Sequence, residues 1–214
     1  MVRTVISLAA LAVALGAVPA LAQSASADAL PLTKPPARGD YPGDGPMPGY
    51  VMMVNSPAAK CSADAKKASD GLMFPGDAVS TCTTAITSGV VVGSDLAASH
   101  VNRGVILMSM SQLPDAKRDF ERALEVVPEQ PEALVNRGAI FASEGNLQAA
   151  IADLDRGIAL GPERPERAYF NRAMVREDLK DVRGAYTDYR QAQLLAPDWT
   201  VAANELRRFQ IRGR

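Results

Sequence analysis

Asn102-Arg103-Gly104, Asn136-Arg137-Gly138 and Asn171-Arg172-Ala173 repeat one tripeptide pattern three times, in steps of 34 and 35 residues. Pro128, Pro162 and Pro197 recur in the same steps. A period of this size marks stacked supersecondary units, because no single unit can bury its apolar face alone. The extra residue of the second step falls between Pro162 and Glu166, in a connection where an insertion disturbs no helix.

Each unit reads as two amphipathic helices. In the first unit Ala97 to Met110 carries one, a break follows at Ser111-Gln112, and Leu113 to Val127 carries the other. Gly104, Gly138 and Ala173 fill one small-residue slot, Ala116, Ala150 and Ala185 a second, and Ala123, Gly157 and Ala192 a third. Small residues let two helix backbones approach, and Phe120, Leu154 and Tyr189 are placed to fill the spaces between them. The closing proline stops the second helix, since it lacks the amide donor and clashes with the preceding turn. Arg103, Arg137 and Arg172 each have an aspartate sixteen residues on, at Asp119, Asp153 and Asp188. A pair in register points to a salt bridge within a unit or across to the next, the alternative being an anion-binding row.

These residues resemble the tetratricopeptide repeat family, whose 34-residue unit carries the same small-large-small-proline pattern. The resemblance covers Ala97 to about Trp199 as three units, residues 97–199. It implies an all-α fold of helix-turn-helix repeats, stacked as a short right-handed solenoid. It also implies that the first helices line a concave groove. The groove slots are then Ala98, Val101, Asn102, Val105, Met108 and Ser109 in the first unit. The second unit offers Glu132, Val135, Asn136, Ala139, Ala142 and Ser143, and the third Arg167, Phe170, Asn171, Met174, Glu177 and Asp178.

Two features of those slots bear on a partner. The amides of Asn102, Asn136 and Asn171 can bond both donors and acceptors of an extended peptide backbone. The alternative is that each bonds a neighbouring helix. Val101, Val105, Met108, Val135, Phe170 and Met174 make the wall apolar, and Arg167 is its one basic residue. An amphipathic helix or apolar stretch suits such a wall better than a peptide carboxylate.

Working outward, Ala78, Cys82 and Ala85 match the second-helix slots of Ala116, Phe120 and Ala123. Residues 58–96 therefore read as a degenerate first repeat, with Cys61 on a partner helix around Ala59 to Leu72. A Cys61–Cys82 disulfide would pin it, stabilising by about 3 kcal/mol in the chain-entropy model. Beyond the array, residues 200–214 read as a capping helix and tail, with Ala202, Leu206 and Phe209 on one stripe. Gln193 and Arg176 stand at slots held by apolar residues in the other units, so the third repeat should depend most on this cap.

The amino-terminal end reads as an address. Arg3 precedes an apolar run from Val5 to Val18, and Ala20-Leu21-Ala22 supplies a cleavage pattern. The run is shorter than a spanning helix. We expect a cleaved signal at residues 1–22, no stable membrane insertion, and a periplasmic or secreted protein. Residues 23–57, rich in proline and glycine, read as a flexible leader.

Charge is balanced, with 23 basic and 24 acidic residues, and no basic stripe is interleaved with aromatics, so nucleic acid is not the expected partner. The only histidine, His100, sits in a helical slot equivalent to Leu134 and Tyr169. No nucleophile elbow, zinc pair or phosphate loop is present, so neither an enzyme nor a cofactor is expected. The expectation is a non-catalytic module, monomeric or weakly oligomeric, holding another protein or peptide. The alternative is a structural accessory of an envelope assembly, tethered through its leader.

Overall fold

The computed structural model describes residues 56–211, and every regular element among them is an α-helix. The expected signal and all but the end of the expected leader lie outside those residues. The helices are α1 (Pro57–Ser69), α2 (Ala78–Thr87), α3 (Gly93–Ser109), α4 (Leu113–Val126) and α5 (Pro131–Ser143). They continue as α6 (Leu147–Leu160), α7 (Pro165–Asp178), α8 (Val182–Leu195) and α9 (Thr200–Ile211). Consecutive helices pack as α3 with α4, α5 with α6 and α7 with α8, and each second helix packs on the next first helix. The result is an all-α helical-repeat solenoid.

The turn inside each unit is made the same way three times. Ser111, Gly145 and Lys180 each take a left-handed backbone, at φ 62°, 78° and 67°. The next amide then reaches back five residues, from Gln112 to the Leu107 carbonyl, Asn146 to Phe141 and Asp181 to Arg176, at 2.8–2.9 Å. This satisfies a carbonyl that the helix end leaves open. Glycine takes that conformation freely, whereas Ser111 and Lys180 adopt it at a cost of roughly 1 kcal/mol each. Asn146 and Asp181 then cap the following helix, accepting from Ala149 N at 3.3 Å and Gly184 N at 2.9 Å.

Paired helices close over the small-residue slots. A methyl built on Gly104 would lie 2.6 Å from the Phe120 ring, and one on Gly138 would lie 3.0 Å from Leu154. Phe120, Leu154 and Tyr189 are accordingly buried, as are the alanines at the matched slots. The third unit shares its core with α9. Phe170, Tyr189, Ala202 and Leu206 form one cluster. Phe170 stacks at 5.3 Å from Tyr189 and 5.0 Å from Trp199. Arg176, which stands where Leu107 and Phe141 stand in the other units, finds a counter-charge in Asp188 at 2.8 Å.

At the other end Cys61 and Cys82 are joined, tying α1 to α2. The helix opens on Pro57 because the Ser56 hydroxyl accepts from Ala59 N at 3.1 Å. The α1–α2 link, residues 70–77, is longer than the turns between the paired helices of the array. Helix α1 uses that slack to leave the position a regular first helix would take. It packs against α3 as well as α2. Its end, at Ser69 and Asp70, meets Arg164 and Arg167 at the start of α7, across 98 residues of sequence in the Ser69–Arg167 case.

Candidate partner-binding face

The first helices α3, α5 and α7 lie side by side along one face of the array, and the arginine of each repeated triplet turns the other way. Arg103 donates from Nε and Nη2 to the two Asp119 oxygens, both at 2.7 Å. Arg137 does the same to Asp153 at 2.7 and 2.9 Å, and Arg172 to Asp188 at 2.8 Å twice. These are bidentate bonds between the two helices of a unit, with planar guanidinium matched to planar carboxylate. Arg172 also reaches back to Asp155 of the preceding unit at 2.7 Å. The row is thus structural bracing with its charge already met.

His100 joins the first of these braces, its Nδ1 lying 2.9 Å from Asp119 Oδ1. Burial would push the Asp119 carboxyl up. The hydrogen bonds and charges of Arg103 and His100 more than reverse this and hold it below the ordinary carboxylate range. A lowered acid stabilises the fold above its unfolded value and stops doing so as pH falls through its folded value. Burial pushes the Asp70 carboxyl up too, and the hydrogen bond and charge of Arg164, with Lys66 and Arg167, outweigh it and hold it lowered. We therefore expect the urea midpoint to hold steady from pH 7 to 5 and to fall below about pH 4. An Asp119→Asn chain, already weaker at pH 7, should show a shallower fall in the same titration.

The expected groove slots divide into three groups. Val135 and Phe170 do not form an open wall, which corrects the expectation for them. Val135 is 4 % exposed and packs in its own unit's core, where a methyl on Gly157 would meet its Cγ2 at 2.7 Å. Phe170 is 2 % exposed against Tyr189 and Trp199. Both slots turn toward the second helix, not across the face.

A second group is covered. Ala98, Val101, Asn102, Val105, Met108, Asn136, Ala139 and Ala142 are all buried. Cys61, Ala65 and Ala68 of α1 belong to the same buried cluster as Ala98, Val101, Val105 and Met108. The expected apolar wall of the first unit is therefore occupied, and a helix of the same chain contributes to the cover. Glu132 is buried too, accepting from Glu163 N at 3.0 Å.

The third group keeps access. Ser143 is exposed, and Ser109, Met174, Glu177 and Asp178 are half-buried. All lie toward the carboxyl ends of the first helices. Glu177 is engaged by Arg208 of α9 at 2.7 Å and accepts from the Tyr189 hydroxyl at 3.2 Å. Asn171 is 5 % exposed and its Nδ2 has no hydrogen-bond partner, an arrangement that ordinarily costs free energy. Arg167, the one basic slot, donates from Nη1 to the Ser69 carbonyl and hydroxyl, both at 2.9 Å. Burial and then the adjacent Arg164 guanidinium pull it down to about 10, so it stays charged at neutral pH.

Among the described residues, no cluster of His, Cys, Asp or Glu is arranged to hold a metal ion. No described helix is long and apolar enough to cross a membrane.

Three helix pairs with one face built from first helices, braced behind by a repeated Arg–Asp pair, define a helical-repeat protein. Tetratricopeptide repeat family models match residues 101–165 and 166–198. Those residues are tetratricopeptide repeats, and the chain is a tetratricopeptide-repeat protein. The matches begin at residue 101, beyond the α1–α2 hairpin, whose geometry departs from the repeat. A solved structure described as the first TPR of Spaghetti (RPAP3) bound to the HSP90 peptide SRMEEVD is similar in fold. It shares 24 % identity at a TM-score of 0.51, covering 57 % of this chain and 96 % of that one. No curated protein matches the chain.

Proposed function

We propose that the chain is a non-catalytic interaction module that holds a protein or peptide segment on the face of α3, α5 and α7, after export to the periplasm or the medium. The observation that carries this is Asn171. Its amide donor is buried without a hydrogen-bond partner, and Met174 and Asp178, one and two turns further along the same helix, keep access beside it. An extended backbone carbonyl is the acceptor that such a donor lacks. The family supports a binding role, and the similar structure is a repeat domain seen with a peptide. The positive charge at Arg3, the apolar stretch from Val5 to Val18 and the Ala20–Ala22 pattern support export with cleavage after Ala22.

Site-specific photocrosslinking in the native envelope tests the reading. A photoreactive side chain at Ser143 or Asp178 should give adducts with a discrete partner. One at Arg118, on the outward face of α4 and 70 % exposed, should not. Adducts from Arg118 alone would move the working surface to the other side of the array. Mass spectrometry of the envelope protein should find Gln23 as its first residue.

A further inference from the structure

We infer that α1 is an internal occupant of the concave face, which an incoming partner displaces, and that the Asp70 clasp on Arg164 and Arg167 sets how readily it leaves. The inference rests on the reading of that face as the holding surface. Its physical basis is a mismatch between what α1 covers and what it offers in return.

Helix α1 spans from α3 to the start of α7. Its buried apolar residues are Ala58, Cys61, Ala65 and Ala68, with Asp64 and Ser69 buried beside them, so its apolar contribution comes from methyl groups and one sulfur. The wall beneath is larger, with Val101, Val105 and Met108. A stripe of alanines buries far less apolar surface than Leu, Ile or Phe would at the same positions. Thirteen residues are also too few for a helix that persists unaided in water. Packing alone holds α1 weakly.

Two devices compensate. The disulfide to Cys82 keeps α1 beside the array whether or not it is seated. The clasp seats it: Asp70 lies 2.7 Å from Arg164 and 3.7 Å from Arg167, while Ser69 accepts twice from Arg167. Ser69 and Arg167 meet deeper, at 3 % and 12 % exposure, whereas the Asp70–Arg164 pair is an ionic contact at a partly exposed rim, both about a quarter exposed. Such contacts hold a position without locking it. A segment with bulkier apolar side chains gains more from the same wall than α1 does. It can therefore exchange with α1 while the hairpin stays tethered.

Asp70→Ala in the full, oxidised chain tests this with two readouts. Hydrogen exchange is expected to rise about tenfold in α1 while α3 to α8 keep their protection. Photo-adduct yield at Ser143 and Asp178 in the envelope is expected to rise severalfold. Loosening of the whole array together with α1 would overturn the inference, because α1 would then be core and not an occupant. Faster exchange in α1 with unchanged adduct yield would overturn it as well, since the helix would not compete with a partner. Absence of adducts in both chains would instead overturn the holding surface on which the inference rests, and the inference with it.

Discussion

Phe120→Ala should cost the array about 3–5 kcal/mol, the range for deleting a buried aromatic ring from a core that cannot collapse onto the space. Phe120 is fully buried, and its ring lies directly over Gly104 on the facing helix. The gap left by the ring would face a backbone with no side chain to move into it. Helices α3 and α4 are also held at fixed separation by the Arg103–Asp119 pair, so they cannot simply close. Urea unfolding followed by helical circular dichroism measures the loss. Gly104→Ala should destabilise in the same experiment by overpacking, by about 1–3 kcal/mol. A Phe120→Ala loss below about 1 kcal/mol would mean that the helix pair does relax.

Asp188→Ala should be the most damaging charge deletion, at about 3 kcal/mol. The carboxylate is 2 % exposed and accepts from both Arg172 and Arg176, three bonds in all at 2.8 Å. Removing it strips both bonds of the Arg172 fork and the short bond of Arg176, leaving them only Asp155 and the more distant Asp181. Asp153→Ala leaves only Arg137, on a more open part of the array, and should cost about half as much. Trp199 is the only tryptophan and packs against Phe170, so its fluorescence reports the third unit selectively. Equal costs at Asp153 and Asp188 would show that the second arginine adds nothing.

The repeat and its bracing were legible because they recur. Three copies of one tripeptide pattern, Asn-Arg followed by a small residue, and an aspartate sixteen residues after each arginine, place contacts that the structure has at 2.7–2.9 Å. The disulfide was legible from having two cysteines and no other pairing. Position along α1 was not, because a stripe of alanines says that a helix packs closely without saying against what. The link at residues 70–77 frees it from the geometry of the other units, and a single link has no copy to compare. Val135 and Phe170 failed for a different reason. Apolar side chains in a first helix satisfy either neighbour equally on paper, and only the glycine opposite Val135 and the tryptophan beside Phe170 decide between them. Arg176 looked like a flaw in the third core, and only the position of Asp188 shows it as a second brace.

The contact between Asp70 and Arg164 also bears on how the molecule comes apart. A stack in which each unit touches only its neighbours unzips from whichever end is weaker, one unit at a time. Here the first helix and the last unit grip each other, which turns an open chain of contacts into a closed circuit. The clasp closes at the start of α7, so it resists parting of α1 from the last unit while the helix pairs keep their own cores. Stretched between its two ends, the molecule would yield first at this latch and only afterwards along its length.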